Sequence, residues 1–115
     1  LKVRLFGTGA ACREFVHASD VARAIDLVIQ KGLDYSEPIN IGTSKEICIG
    51  DLAYIIAELV GFDGEIVFTG EVSDGQLRRQ LDVSRAKELF GFEAKVSLKE
   101  GLQETIEWYR NNVQK

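Results

Sequence analysis

The chain of 115 residues contains no methionine, and it begins with Leu1. Because translation starts at methionine, this sequence is typical of an internal or truncated piece, and we expect it to be a fragment of a longer protein. Hydrophobic residues make up 45% of the chain, which is enough for one modest core in a single small domain. This composition argues against disorder.

Cysteine and histidine are both scarce. Cys12 and Cys48 have neither the CxxC spacing nor the companion histidines of a metal site, and the pair alone does not predict a bridge. We therefore expect no metal and two reduced thiols, as in a cytoplasmic protein. The single histidine, His17, has no visible serine or cysteine partner, so we assign it a structural role and no chemistry.

The sequence also lacks an excess of basic residues and any long apolar run. Its net charge of -4 and pI of about 5.0 exclude a general attraction to nucleic acid or anionic membranes, so any phosphate site must be local. No apolar run approaches the roughly 18 residues of a membrane span, and no signal-peptide pattern precedes the first polar residues. We expect a cytoplasmic protein with no nucleic-acid or membrane partner.

The spacing of apolar residues predicts an α/β fold that mixes short strands with about four helices. Strands are expected at 1–6, 39–42, 46–49 and 65–68, with a loop leading to Ser19. Helices are expected at 20–31, 50–60, 84–90 and 97–112. Glycines follow the first three helices. Ser19 or Asp20 is expected to cap the first helix, and Ser84 the third.

The opening segment imitates a dinucleotide-binding motif, since a short strand runs into Gly7-Thr8-Gly9. In that motif a third small residue follows and the helix begins within the turn. Here Cys12-Arg13-Glu14-Phe15 intervenes, and helical periodicity begins only at Asp20. We therefore do not interpret the glycine turn as a dinucleotide site.

Two arginines occupy positions suited to an anion. Arg13 lies between the glycine turn and a helix start, and Arg79 follows a polar loop far downstream. Guanidinium groups from distant parts of a chain suit a diphosphate, because each can donate parallel hydrogen bonds while keeping its charge. Each arginine also has a structural alternative. Arg13 could form a surface ion pair with Glu14 or Asp20, and Arg78-Arg79 could be a solvated charge run.

Six segments in order carry a family resemblance: FGTG, REFVHASDVARA, INIG, VGFDG, SDGQLRRQLDVSRAKELFGF and LKEGLQETIEWY. The series resembles the C-terminal part of extended short-chain dehydrogenase/reductases of the NAD-dependent epimerase/dehydratase family, which act on nucleotide sugars. VGFDG and SDGQLRRQLD are most similar to the branch that works on GDP-sugars. The resemblance implies that residues 1–115 form the substrate-binding part of an extended Rossmann-type fold, and that the N-terminal NAD(P)-binding part is absent from this chain.

The resemblance also implies roles for three residues. Phe6 stands where the family often has a tryptophan near the nucleotide base, Arg13 is the arginine that contacts the diphosphate, and Arg79 is the later cationic residue. Close relatives have PDG followed by threonine, proline and Arg-Lys where this chain has SDGQLRR. The loss of both prolines loosens the loop, and the forked guanidinium of an arginine replaces the point charge of the lysine. The identity of the sugar nucleotide therefore stays open. We expect Asp82 to orient Arg79.

The catalytic groups that the family uses are missing. Its reaction needs a tyrosine with a lysine four residues later, and NAD or NADP held by an N-terminal glycine motif. None of Tyr35, Tyr54 and Tyr109 has a lysine at that position. We expect no catalytic residue, no complete cofactor site and no activity in this chain alone, and an NAD(P)-dependent nucleotide-sugar enzyme as its parent.

Three interpretations remain open. In the first, the chain binds a nucleotide diphosphate sugar, with a GDP-sugar favoured, inside an epimerase/reductase, a 4-epimerase or a 4,6-dehydratase of this family. In the second, it is a non-catalytic nucleotide-sugar binding module. In the third, it is the dinucleotide-binding half itself, and this chain by itself binds NAD. The family resemblance also implies a homodimer.

Overall fold

The computed structural model describes residues 1–113. In chain order the elements are β1 (Lys2–Leu5), β2 (Cys12–Glu14), α1 (Ala18–Lys31), β3 (Glu46–Cys48), α2 (Ile49–Val60), β4 (Glu65–Phe68), α3 (Ser84–Phe90) and α4 (Leu98–Asn112). The predicted α/β class is confirmed, and each of the four predicted helices is present to within two residues at its ends.

The strands form two separate two-stranded sheets. β1 and β4 pair in parallel, with Val3 opposite Ile66. β2 and β3 pair in the antiparallel sense, with Cys12 opposite Cys48. β2 lies within the predicted loop, because three residues are too few to show the alternation that marks a strand.

The predicted strand at 39–42 is wrong, since no strand is assigned there. Ile39 and Ile41 pack instead against the core as irregular chain, and Gly42 is buried beside the Glu14 carboxylate. A short apolar run between turn residues indicates burial, but it does not say whether a neighbouring strand exists to pair with it.

The core forms where α1 meets α3. Ala24, Ala86, Phe90 and Phe92 are at most 2% exposed, and the two phenylalanine ring centres lie 6.3 Å apart. The Arg23 guanidinium covers the Phe92 ring at 4.8 Å. Partly buried apolar side chains surround this cluster: Leu27, Val28, Leu33, Ile39, Ile41, Leu89 and Ala94.

The helix caps differ from those predicted. His17 caps α1, with its imidazole accepting a hydrogen bond from the Ser19 backbone N–H at 3.2 Å. The predicted Ser19 or Asp20 cap is therefore wrong, and the structural role predicted for His17 is confirmed. Ser84 is the first residue of α3 and not its cap. Its backbone N–H donates instead to the Asp82 carboxylate.

Asp20 fastens α1 to the chain before α4. Its side chain is 2% exposed and accepts backbone N–H bonds from Lys95 and Val96 at 3.0–3.1 Å, and a guanidinium bond from Arg23. Burial by itself raises the pKa of Asp20. The backbone donors and Arg23 outweigh it and hold the pKa below its usual value.

The molecule is flattened, with extents of 52 × 34 × 18 Å and a radius of gyration of 17.1 Å. A compact domain of 100 residues has a radius of about 13 Å. A wholly apolar groove of about 380 Å³ lies between the β1–β4 sheet and α2. No helix within residues 1–113 has both the length and the apolar character that crossing a membrane requires.

Candidate functional site

Phe6 and Arg13 line the same open cavity of about 230 Å³. Phe6 follows β1 and its ring is 74% exposed, while Arg13 is the central residue of β2 and is half-buried. Arg79 does not line this cavity. The remaining wall residues come from the glycine turn, the start of α2 and the loop after β4: Gly7, Gly9, Ala11, Ile49, Ser73 and Asp74.

The glycine turn brings the end of β1 onto the start of α2. Gly9 has a φ of 81°, and a Cβ there would lie 3.2 Å from the Gly50 Cα and 3.0 Å from the Phe68 ring. The Gly50 backbone N–H donates to the Gly9 carbonyl at 2.9 Å. The motif that imitates a dinucleotide turn is therefore a close backbone crossing, which requires glycine because no side chain fits.

The loop after β4 closes one side of the cavity. The Asp74 carboxylate accepts hydrogen bonds from the Thr8 backbone N–H at 2.8 Å and from the Thr8 hydroxyl. The hydroxyl and then the N–H of Thr8 lower the pKa of Asp74. The Gly70 backbone N–H also donates to the Gly7 carbonyl at 3.0 Å. These bonds hold the loop against the turn.

Further along, residues 77–81 lie beside β2. The Cys12 backbone N–H donates to the Leu77 carbonyl at 2.7 Å, and the Leu81 N–H donates to the Glu14 carboxylate at 3.0 Å. These two hydrogen bonds flank both arginines. Arg13 lies between Cys12 and Glu14 on β2, and Arg79 lies between Leu77 and Leu81 on the other segment. Two arginines that are far apart in the sequence thus lie on neighbouring segments.

The structural alternative for Arg13 is not observed. Its guanidinium donates to the Cys12 carbonyl at 2.8 Å. Glu14 and Asp20, the proposed ion-pair partners, instead accept backbone N–H groups elsewhere in the fold. A guanidinium has five N–H donors, so most of those on Arg13 remain available to an anion in the cavity.

The two adjacent arginines differ. Arg78 forms an ion pair with Glu46 of β3 at 2.9 Å, so the structural alternative holds for it. Within residues 1–113 Arg79 is exposed and forms no ion pair. The predicted contact from Asp82 is wrong, because the Asp82 carboxylate accepts the Ser84 backbone N–H instead. That bond lowers the pKa of Asp82.

Glu14 is the positioning residue that the sequence interpretation missed. One carboxylate oxygen accepts the Thr43 backbone N–H at 2.7 Å, and the other accepts the Leu81 N–H at 3.0 Å. A Cβ at Gly42 would collide with this carboxylate. Glu14 therefore joins three segments of the chain. Only its place beside Arg13 could have pointed to it, since its partners are all distant.

The prediction of two reduced thiols is wrong, because Cys12 and Cys48 form a disulfide. They lie directly opposite each other in the β2–β3 pair, with their Cα atoms 3.8 Å apart. Their separation of 36 residues carries no pairing signal. Only the strand register, which the sequence did not reveal, brings the two sulfurs together.

The arrangement suits binding. An exposed aromatic ring can stack on a base, and a guanidinium beside a tight backbone turn can donate to phosphate oxygens. The cavity-lining side chains in the described part of the chain include no tyrosine, lysine or histidine. Phe6 and Arg13 are therefore groups that can hold an anionic ligand with an aromatic base.

Comparisons with known proteins show which family the chain resembles. Residues 1–42 match the model of the NAD dependent epimerase/dehydratase family. The chain is 40% identical to the probable GDP-L-fucose synthase 1 of Oryza sativa subsp. japonica, over 97% of this chain and 34% of that protein. It spans about a third of the length of the curated relatives that it matches.

Two solved structures are similar along nearly the whole chain. One is a UDP-glucose 4-epimerase with UDP-glucose from Thermotoga maritima, with a TM-score of 0.87 and 35% identity over 97% of this chain and 36% of that one. The other is a GDP-mannoheptose C4 reductase from Campylobacter jejuni with NADP bound, with a TM-score of 0.81 and 34% identity over 95% and 35%. The resemblance predicted from the sequence is confirmed.

Proposed function

From this resemblance to the NAD-dependent epimerase/dehydratase family, we propose that the chain is the substrate-binding part of a nucleotide-sugar epimerase/reductase similar to GDP-L-fucose synthase. The observation that carries the proposal is the cavity that joins Phe6 to Arg13, with Arg79 on the neighbouring segment. In this proposal Phe6 covers the base, and the two arginines hold the diphosphate.

The charge distribution supports an anion at this place. The chain as a whole is acidic, with a net charge of -4, so a phosphate must be attracted locally. Arg78 is neutralised by Glu46, whereas Arg79 is exposed and Arg13 faces the cavity. Within residues 1–113, Arg13 and Arg79 therefore offer guanidinium groups without an ion pair on two neighbouring segments.

The small volume of the cavity supports a ligand site that is shared with protein outside this chain. Its volume of about 230 Å³ is below the range of about 300–1,000 Å³ that small-molecule sites occupy. A diphosphate and part of a nucleoside fill such a space, whereas a complete nucleotide sugar needs more walls. We therefore expect the sugar to contact protein outside this chain.

The rest of the activity belongs to the parent protein in this proposal. NAD or NADP would bind outside this chain and supply the hydride acceptor and donor. No Tyr-x-x-x-Lys sequence occurs here, so we expect no turnover by the chain alone. The flattened shape and the apolar groove support a neighbouring protein surface over α2 and the β1–β4 sheet. A cytoplasmic location and a homodimer remain predictions.

A titration of GDP, UDP and NAD against the chain by calorimetry tests the proposal. We expect Arg13→Ala combined with Arg79→Ala to weaken diphosphate binding by at least about 100-fold, because charge-assisted hydrogen bonds contribute roughly 1.5–3 kcal/mol each. Arg78→Ala is the matched control. It removes one charge from the same segment, but its guanidinium is already paired with Glu46.

The outcomes separate the alternatives. Unchanged GDP and UDP affinity in the double variant would overturn the diphosphate assignment. Tight binding of NAD, with no binding of GDP or UDP, would favour a dinucleotide-binding half instead. The coding sequence upstream of Leu1 distinguishes an enzyme from a binding module. A glycine-rich turn followed by Tyr-x-x-x-Lys there supports the enzyme.

A further inference from the structure

We propose that the Cys12–Cys48 disulfide is a reversible redox switch that sets the affinity of the adjacent cavity for nucleotide diphosphates. The proposal rests on the proposed function, since it takes the cavity to be the diphosphate site. The disulfide joins β2, which carries Arg13, to Cys48, the last residue of β3 and the residue that immediately precedes α2.

Both cysteines are immediate sequence neighbours of residues that line the cavity. Ala11 and Arg13 flank Cys12 in the chain and line the cavity, and Ile49 follows Cys48 and lines it too. The Ile49 backbone N–H donates to the Ala11 carbonyl at 2.8 Å. A change at the disulfide therefore acts on wall residues that are its immediate neighbours in the chain.

Few buried side chains fix this part of the molecule. β2 and β3 contribute three residues each, and none of their side chains is fully buried. α2 has no fully buried side chain either. Two-stranded pairs of this kind are marginally stable without a packed face. The covalent bond therefore acts together with the backbone bonds from Ile49 to Ala11 and from Gly50 to Gly9 in restraining the position of Arg13 relative to α2.

Opening the bond is an ordinary thiol–disulfide exchange. A thiolate of a dithiol reductant attacks one of the two sulfurs, forming a mixed disulfide and releasing the other cysteine as a thiolate. The second thiol of the reductant then displaces the remaining cysteine and closes its own disulfide. The reductant loses two electrons and the protein gains them, and two protons end on Cys12 and Cys48.

The bonded state is the tighter binder in this proposal. With the bond closed, the Arg13 strand and the start of α2 are already held in the arrangement that lines the cavity. With the bond open, binding must first order these segments, and that ordering weakens affinity. We expect reduction to weaken GDP binding by about tenfold, which is the size of effect that preorganisation commonly has.

The test measures GDP affinity of the full chain by calorimetry, first without reductant and then in excess dithiothreitol. Alkylation with iodoacetamide and mass spectrometry report the bond in the same samples. Support consists of no labelled cysteine before reduction, two afterwards, and the expected loss of affinity. Equal affinity in the two states, or free thiols before reduction, would overturn the switch. Absence of GDP binding in both states would contradict the proposed function, and the switch with it.

A variant and a second readout complete the design. The double substitution Cys12→Ser and Cys48→Ser should bind GDP like the reduced chain and should not respond to dithiothreitol. Should this variant fail to fold, hydrogen exchange on the unmodified chain decides the question without ligand. Reduction should speed exchange of the Ile49 and Gly50 amides and leave those of α3 unchanged. Uniformly faster exchange would indicate loss of stability alone and would count against the switch.

Discussion

The α1–α3 core and the cavity region are held together by different forces. The core contains the fully buried side chains, and the buried Asp20 carboxylate ties it to the chain before α4. Apart from the buried Gly7 and Ala11, the cavity region consists of half-buried and exposed residues. It is joined by backbone bonds, by two carboxylates that accept backbone N–H groups, and by a disulfide. The residues that stabilise the fold and the residues that shape the candidate ligand site therefore lie in different regions of the molecule.

The two regions meet at residues 41–43. Ile41 packs against the core, Gly42 is buried beside Glu14, and the Thr43 backbone N–H donates to Glu14. This short segment is the direct route by which the core supports the strand that carries Arg13. Substitutions on either side of it should therefore affect either unfolding or binding, and only those at the junction should affect both.

The largest effect should come from the core. Phe90→Ala removes a ring that is 2% exposed, and we expect it to lower the free energy of unfolding by about 4 kcal/mol. Tyr54→Ala is the control, because that ring is 59% exposed. Chemical denaturation measures both. A drop of GDP affinity in the folded Phe90 variant as large as that of the arginine variants would break the comparison.

Asp20→Asn should follow, with a loss of about 3 kcal/mol, because the amide cannot accept all the buried N–H groups that the carboxylate accepts. Asp26→Asn on the same helix is the control, since Asp26 is exposed. The folded pKa of Asp20 is lowered from 3.8. Its stabilisation is therefore complete above that pH and lost as the pH falls through the lowered value.

Denaturation at several pH values checks the sign of this effect. The difference in stability between the unmodified chain and Asp20→Asn should be largest near neutral pH and should shrink below pH 3.8. A difference that stays constant with pH would show that the charge of Asp20 does not carry the effect.

Glu14→Gln is the smallest of these changes and acts at the junction. One of its two backbone donors should lose its acceptor, which lowers stability by about 2 kcal/mol. The segment carrying Arg79 should also loosen, and we expect GDP affinity to fall by about fivefold. Glu107→Gln on α4 is the exposed control. A loss of stability with unchanged affinity would show that Glu14 does not position Arg79.

The sequence could predict the helices and strands that have a local pattern of apolar residues. Local patterns of apolar residues and turn glycines predict the four helices and strands β1, β3 and β4, because the information is local. Phe6 and Arg13, which the family motifs singled out, line one cavity, while the roles of all three site residues stay predictions. Asp20 was interpreted as a cap because its position at a helix start was visible and its partners at 95–96 were not.

The missed features have one physical cause. Glu14 binds residues 43 and 81, and Cys12 bonds to a residue that lies 36 positions away. Such contacts are set by the packing of whole elements, so neither spacing nor composition reveals them. The wrong strand at 39–42 follows the same rule, because apolar character indicates burial and does not name the neighbour.

The parallel pairing of β1 with β4 has a consequence for synthesis of the chain. The two strands are separated by more than half of the sequence, and pairings of this kind form late because long loops must close first. The loop that lines the cavity with Ser73 and Asp74 follows β4, and so does the segment 77–81 that carries Arg79. When synthesis reaches β4, the chain already contains the residues of α1 and α2 but lacks both of these segments. Binding competence therefore arrives only with the last third of this sequence.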